Sequence, residues 1–203
     1  MQEQKPSLTS ADEIKSPENA PAAEPLREST VSGLYDWISA AIFALVLVTL
    51  VFSFCFRIVE VDGDSMNPTL WNTERLITSR LAYTPQRGDI VIINRYTKEP
   101  LVKRIIAVGG DRLRMDGEGG VYVNGEKLNE PYIQGITYPL GFGTEEQVVP
   151  EGCVFVMGDN RQNSTDSRYM DQVGFVKESD LIGKAVFRIL PLNRFGSLYE
   201  ESA

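Results

Sequence analysis

The sequence predicts an all-β, mainly antiparallel domain that is preceded by a single N-terminal transmembrane helix. One long apolar run, residues 37–56, comes first, and the pattern of apolar and polar residues changes after it. From residue 58 onward, short β-rich runs recur between Gly and Pro turns, with no helical periodicity of any length. The 203 residues suffice for one such domain and a membrane segment.

The N-terminal segment, residues 1–33, is predicted to be a disordered tail. It contains four prolines and no aromatic residue, and it is dominated by Ser, Glu and Ala. Such a segment buries too little apolar surface to offset the entropy cost of folding. We therefore expect a tail at 1–33, a transmembrane helix at 34–57 and a β-rich domain at 58–203.

The apolar run has the length of a membrane-spanning helix. Residues 37–56 are 20 residues without a charge, and at a rise of about 1.5 Å each they span the roughly 30 Å hydrocarbon core. Tyr35 and Trp37 stand at one end, where aromatic residues anchor helices at the interface. A cleaved signal peptide would be followed by small residues, whereas bulky ones follow here. The helix is therefore expected to be uncleaved.

Composition excludes several classes of function. The net charge is -8, whereas nucleic-acid-binding proteins usually have a basic surface. The chain has no histidine, and its two cysteines lie in the apolar run and in a strand-like segment. No Cys/His metal site, disulfide or EF-hand spacing is therefore expected. We expect no metal, no cofactor and no nucleic acid partner.

The segment of greatest interest is residues 62–70, Asp-Gly-Asp-Ser-Met-Asn-Pro-Thr-Leu. Gly63 permits a sharp turn and Pro68 interrupts regular structure, so Ser65 is presented at a strand-to-turn junction. That position suits a nucleophile, and it equally suits an ordinary turn serine. Because the chain has no histidine, a catalytic Ser65 needs a lysine, a carboxylate or a less usual group as its base.

Two of the seven lysines, Lys103 and Lys184, lie inside apolar, strand-like runs. A lysine that acts as a base near neutral pH must have its pKa lowered by about 3 units, usually by burial. With a period of two, Lys103 shares a face with apolar residues that include Leu101 and Ala107. Lys184 shares its face with Arg188, which indicates an exposed surface. Lys103 is therefore the better candidate, the alternative being an edge-strand lysine that extends to solvent.

A third polar constellation, residues 157–168, begins where a strand-like run enters a loop rich in Asp, Asn and Ser. These side chains can close such a loop by hydrogen bonds to its own backbone. Asp166 and Arg168 can also pair across one face of an extended strand. Ser164 can form a hydrogen bond to an amine.

Together, these segments resemble bacterial type I signal peptidase (leader peptidase). Residues 65–70 resemble the nucleophile box of that family, 87–91 its Gly-Asp box, 103–111 its general-base box and 158–168 its last box. The match runs from residue 61 to about residue 196. Four boxes in order after a membrane helix are highly specific, and the departures from the family pattern lie in turns.

The resemblance implies a membrane-anchored serine endopeptidase that removes signal peptides from translocated preproteins after small-x-small sites. Ser65 would attack the scissile carbonyl, Lys103 would be the general base, and Ser164 would hold the lysine amine. The backbone N–H of Ser65 would hold the oxyanion. Gly63 stands where some family members have a hydroxyl donor, so the second oxyanion donor is not identified.

The resemblance also implies roles for residues around this dyad. Asp166 and Arg168 would brace the site as an ion pair, and Arg104 would support it. Met66 and Leu101 would line shallow pockets that accept small side chains. Residues in the range 111–150 would form a smaller appended subdomain.

The implied localisation is the cell membrane, with a single span and an extracytoplasmic catalytic domain. The implied partners are secretory preproteins and the lipid bilayer. The charges near the helix lean the other way, since Arg27 precedes it while Arg57 and Arg75 follow it.

Two alternatives stay open. A self-cleaving Ser/Lys regulator of the SOS-repressor type shares a similar nucleophile box, but it should be soluble and lack the apolar run. An inactive, membrane-tethered β-domain that only binds a partner would not need Ser65, Lys103 and Ser164 intact. A eukaryotic-type signal peptidase calls for a histidine, which this chain lacks.

Overall fold

The structure is a computed structural model that describes residues 26–81, 83–94 and 100–199, with side chains from residue 33 onward. Contacts between residues divide the chain into two units, residues 1–47 and 48–203. Most of the predicted tail, residues 1–25, lies outside the described residues.

One long helix, α1, spans Leu26–Cys55. Its part Gly33–Cys55 is long and apolar enough to cross a membrane, and it has no burial within the protein. The helix begins before the expected residue 34, because an uncharged run identifies only the stretch suited to hydrocarbon. Helical backbone can continue into the polar flank, as it does through residues 26–33.

Within the described part of the chain, twelve strands follow the helix, and all the pairings between them are antiparallel. They are β1 Phe56–Glu60, β2 Arg75–Ser79, β3 Ile90–Ile93, β4 Leu101–Val108, β5 Arg112–Met115, β6 Val121–Val123, β7 Glu126–Lys127, β8 Gln147–Val148, β9 Cys153–Met157, β10 Val176–Lys177, β11 Leu181–Leu190 and β12 Gly196–Ser197. The larger sheet has the order β1-β2-β11-β3-β4-β9-β10, with β12 beside β11. The predicted class, antiparallel β-structure after one apolar helix, is confirmed.

The smaller sheet has the order β7-β6-β5-β8 and falls within residues 111–150. The dipeptide Asn124-Gly125 predicts a two-residue hairpin turn between β6 and β7. The structure confirms it, with φ of 54° and 85° at these two residues and with Val123 paired to Glu126.

The centre of the larger sheet is buried on both faces. On β3, Ile90 and Ile92 belong to one apolar cluster, and Val91 and Ile93 belong to another. A strand covered on both sides has a continuous apolar run instead of an alternating one. Strand β4 lies between β3 and β9, so its middle residues, 102–107, are all buried.

A bulge in β4 changes one detail of the sequence prediction. The pairing of β4 with β9 shifts register between Ile105 and Ala107. Because a bulge interrupts the period of two, Ala107 packs into a different cluster from Leu101 and Ile105. The expectation that Ala107 shares the environment of Lys103 was therefore wrong, whereas Leu101 and Ile105 keep their common face.

Candidate active site

The loop that carries Ser65 is closed at its base and pinned at its turn. Thr73 donates its backbone N–H to the carbonyl oxygen of Val61 at 2.8 Å, which closes the loop directly after β1. Gly63 has φ +87°, in the left-handed region where glycine is favoured, and its N–H donates to Asn72 Oδ1 at 3.0 Å. The backbone around Ser65 is thus set by contacts on both of its flanks.

Lys103 meets Ser65 from the middle of β4. Its Nζ lies 2.8 Å from Ser65 Oγ and donates to the carbonyl oxygen of Val102 at 3.0 Å. The residue is only 2% exposed, since β4 is covered on both faces. In sequence the two residues are 38 positions apart, and the fold brings them into direct contact.

Burial lowers the pKa of the Lys103 ammonium from 10.5 to about 8, against the opposing effects of the Asp166 and Asp159 carboxylates. Desolvation disfavours the charged form of an amine, and nearby negative charge favours it. Here desolvation is the larger effect. Lys103 can therefore lose its proton near neutral pH, as a general base must.

The loop that follows β9 clamps the Ser65 loop. Asn160 donates its backbone N–H to the carbonyl oxygen of Ser65 at 3.0 Å and its side-chain amide to that of Asp64 at 3.2 Å. At Gly158 a Cβ atom would overlap both the Ser65 carbonyl oxygen and the Ser164 side chain. A residue without a side chain is needed at this position for so close an approach.

Asp159 joins three segments around the dyad. It is fully buried and accepts two hydrogen bonds from Arg104, from Nε at 2.8 Å and from Nη2 at 2.7 Å. Thr69 Oγ1 donates to the same carboxylate at 2.5 Å, and the Arg104 guanidinium lies 4.0 Å from the centre of the Tyr132 ring. Sequence reasoning gave Arg104 a supporting role but missed its partners. The available signal was the polar run that contains Asp159.

Asp166 and Arg168 form a buried, bidentate ion pair. Arg168 donates from Nε and from Nη2 to the two carboxylate oxygens, each at 2.9 Å. Asp166 also accepts the backbone N–H of Gly158 at 3.0 Å, which fixes the start of the clamping loop. The pair forms in a turn, not across an extended strand as the sequence suggested.

Ser164 lies in the same region but makes no hydrogen bond to the lysine. Its Oγ is buried and has no hydrogen-bond partner among the described residues. The residue is 9% exposed, and its side chain packs beside Gly158. The contact with the Lys103 amine that the sequence led us to expect is not formed here.

A cavity of about 510 Å³ opens at the dyad. Its lining consists of residues 62–65, 100–103 and 162–165 together with Tyr169. Leu101 is therefore placed at the cavity, as the sequence suggested. Met66 is not, because its side chain is fully buried in the apolar cluster with Val61 and Leu70.

The backbone N–H of Ser65 has no hydrogen-bond acceptor among the residues that the structure describes. It is thus available to a negatively charged oxygen at the cavity, as an oxyanion donor must be. The N–H of Gly63 already donates to Asn72, so Gly63 does not supply a second donor in this conformation. A hydroxyl nucleophile, a buried amine and a vacant N–H donor together suit acyl transfer.

Residues 34–190 match the family model described as signal peptidase, peptidase S26. The chain belongs to this family. It is therefore a hydrolase of the serine peptidase type, and the family boxes that the sequence suggested fall within the matched range. The alternative of an SOS-type regulator is not supported by this match.

Related proteins have the same family name. Signal peptidase I P from Bacillus subtilis subsp. natto is 39% identical over 176 residues, covering 80% of this chain and 92% of the relative. Signal peptidase I from Bacillus licheniformis is 39% identical over 175 residues, with 80% and 91% covered. The crystal structure of a signal peptidase I from Enterococcus faecalis V583 is 29% identical, covers 51% of this chain and 98% of that chain, and has a TM-score of 0.42.

Proposed function

We propose that this peptidase removes signal peptides from secretory preproteins after small-x-small sites, with Ser65 as nucleophile and Lys103 as general base. The observation that carries the proposal is the 2.8 Å contact between Ser65 Oγ and Lys103 Nζ. An amine whose pKa is lowered to about 8 by burial can take the hydroxyl proton near neutral pH.

The reaction is an acyl transfer in two halves. Neutral Lys103 accepts the Oγ proton while Ser65 Oγ forms a bond to the scissile carbonyl carbon, and the oxyanion that develops faces the Ser65 N–H. As the tetrahedral intermediate collapses, the Lys103 ammonium donates that proton to the departing amine, and an acyl-Ser65 ester remains. Lys103 then takes a proton from water while the water oxygen attacks the ester carbon. As this second tetrahedral intermediate collapses, the Lys103 ammonium returns the proton to Ser65 Oγ, the ester bond breaks, and the acid product, Ser65 and neutral Lys103 are released.

The ion pairs around the dyad are assigned positioning roles. Arg104 and Asp159 join β4 to both loops of the site, and Asp166 with Arg168 fixes the start of the clamping loop. Ser164 is assigned the role of orienting the lysine amine during turnover, because its buried Oγ has no hydrogen-bond partner among the described residues and the residue lines the same cavity as Lys103. Removing one member of a buried ion pair costs about 3–5 kcal/mol, since the other charge is left uncompensated.

The proposed location is the cell membrane, with the helix Gly33–Cys55 as the single span and the β-domain on the extracytoplasmic side. A membrane-tethered enzyme and a membrane-tethered substrate meet at a raised effective concentration. The arginines near the helix favour the opposite orientation, so orientation needs its own test. Digestion of the domain by protease added outside intact cells is the expected result, and protection of the domain would reverse the assignment.

The decisive experiment uses the full chain in detergent and a preprotein with an Ala-x-Ala cleavage site. We expect the wild type to cut after the second alanine, and Ser65→Ala and Lys103→Ala to release no detectable product in the time that the wild type needs to cut the preprotein completely. The matched control is Ser179→Ala, an exposed serine outside the cavity, which should cut normally.

Two outcomes would count against the proposal. Cleavage by Lys103→Ala at the wild-type rate would place the base elsewhere, and Lys184 would be tested next. Folded wild type that cuts no small-x-small preprotein would favour the alternative of a domain that only binds its partner.

A further inference from the structure

Two aspartates lie at the mouth of the catalytic cavity and have no part in the mechanism above. Asp62 and Asp64 flank Gly63, both are exposed, and both belong to the lining that includes Ser65 and Lys103. Within the described residues, neither carboxylate forms a hydrogen bond or an ion pair. They are thus free of the local backbone bonds by which aspartate usually stabilises a turn.

The backbone holds these two side chains in place. The carbonyl oxygen of Asp64 accepts the N–H of Asn67 and the side-chain amide of Asn160, each at 3.2 Å. Between the two aspartates, the N–H of Gly63 is fixed by Asn72. The carboxylates are therefore carried by an ordered loop directly beside the nucleophile.

The charge of the cavity is unbalanced. Among its described lining residues, Lys103 is the one cation, and it is buried. When Lys103 is neutral and competent as a base, the two carboxylates of Asp62 and Asp64 have no cation beside them in this lining. The cavity is thus most negative in the protonation state that performs the chemistry.

We infer that Asp62 and Asp64 are specificity-determining residues that favour substrates with Lys or Arg close to the scissile bond and disfavour Asp or Glu there. The inference rests on the proposed function, because it concerns which substrates the same cavity accepts. Charges of opposite sign attract, and exposed pairs of this kind are weakened by salt.

The test is a set of Ala-x-Ala peptides in which Lys, Gln or Glu is placed in turn at each position on both sides of the scissile bond. At one or more positions we expect kcat/KM to fall in the order Lys, Gln, Glu, with a Lys-to-Glu ratio of about three to ten at low ionic strength. The ratio should shrink as salt is added. In Asp62→Asn/Asp64→Asn the ratio should approach one.

The matched control is Asp171→Asn, an exposed aspartate outside the cavity, which should keep the wild-type ratio. Equal rates for Lys and Glu peptides at every position of the wild type would overturn the inference while leaving the proposed function intact. So would a ratio that survives in Asp62→Asn/Asp64→Asn.

Peptide binding to the Ser65→Ala variant tests the charge preference without requiring cleavage. The Lys peptide at the preferred position should bind with a lower Kd than the Glu peptide, and removing both aspartates should equalise the two. If no peptide is cut by the wild type, the proposed function fails. The charge preference is still decided by these two Kd values, and equal values would overturn it.

Discussion

Lys103 and Lys184 occupy equivalent places on either side of one residue. Val91 in the middle of β3 pairs with Lys103 of β4 on one side and with Lys184 of β11 on the other. Nevertheless, Lys103 Nζ contacts the Ser65 hydroxyl, whereas Lys184 Nζ lies 2.6 Å from the carboxylate of Asp89. Position in a sheet therefore does not make a lysine a base. The group that the lysine side chain faces decides whether the lysine can act as one.

Burial separates the two lysines as well. The Lys184 side chain is 27% exposed and its Nζ lies 4.5 Å from the centre of the Tyr199 ring, whereas Lys103 is almost fully buried. Lys184 therefore has both a carboxylate partner and contact with solvent. Among the described residues, no carboxylate forms a hydrogen bond or an ion pair with Lys103, and the charges of Asp166 and Asp159 offset only part of the desolvation of its ammonium.

The largest expected effect is on catalysis. Lys103→Met should lower kcat/KM by about 10²–10⁴-fold, the usual contribution of a general base. Lys184→Met should cut at a rate close to that of the wild type, because Asp89 and Lys184 lie outside the catalytic cavity. Steady-state cleavage of one small-x-small peptide by the two variants checks this. A comparable loss in both would remove the distinction drawn between the lysines.

The pH dependence sharpens the same comparison. Only neutral Lys103 acts as a base, and its pKa is lowered to about 8. Below that pH we expect kcat/KM to rise about tenfold per pH unit, and to level off above it. Lys184→Met should show the same profile as the wild type. A rate independent of pH from 6 to 9 would contradict the role given to Lys103.

The substitutions Lys103→Met and Lys184→Met should change the free energy of unfolding in opposite directions. The pKa of Lys103 is about 8 in the folded protein and 10.5 for an unperturbed lysine, so between these pH values the unfolded chain binds more protons. Below pH 8 the charged form therefore costs the folded state roughly 3 kcal/mol, and stability rises with pH from 8 to 10.5.

Lys103→Met removes that cost together with two hydrogen bonds, so the full chain should be more stable by about 1–3 kcal/mol at pH 7. This stability difference between Lys103→Met and the wild type should decrease as the pH approaches 10.5. Lys184→Met should lose about 1–2 kcal/mol, because Asp89 keeps its bonds from Tyr83 and Gln86 but not its cation. Thermal unfolding of the full chain in detergent measures both, and a destabilised Lys103→Met at pH 7 would contradict the argument.

The smallest expected effect concerns the hydroxyl at the cavity. If Ser164 Oγ orients the Lys103 amine during turnover, Ser164→Ala should lower kcat about five- to tenfold, the worth of roughly one hydrogen bond. The pH midpoint should shift as well, which a purely structural loss would not cause. Ser164→Thr, which keeps the hydroxyl, should restore part of the rate. An unchanged kcat and midpoint in Ser164→Ala would remove this role.

The sequence selected Lys103 over Lys184 partly for a wrong reason. Arg188 on the same strand suggested an exposed face around Lys184, yet Arg188 is buried, with its Nε 2.8 Å from Glu74. Register shifts in β11, between Ala185 and Phe187 and again after Arg188, also break the period of two on which the argument relied. The pattern within one strand cannot predict that a carboxylate distant in sequence, such as Glu74, will pair with Arg188.

By itself, the sequence determined the apolar helix, the antiparallel class and the candidate dyad. The helix and the class follow from local patterns, an uncharged run of membrane length and short strands between turns. The dyad follows from four sequence boxes that resemble those of the signal peptidase family, in a chain without histidine. The tertiary structure alone decided which side chain faces which. In it, Arg104 pairs with Asp159, Met66 packs in the core, and Ser164 Oγ has no hydrogen-bond partner among the residues that the structure describes.

The physical reason is that these outcomes depend on contacts between segments far apart in the chain. Ser65 and Lys103 meet because two loops and β4 converge, and the pKa of the lysine is lowered because both faces of the sheet are covered there. A pattern within one segment fixes its period and its turns. Whether an amine is buried, and therefore how far its pKa is lowered, depends on how the whole domain packs around it.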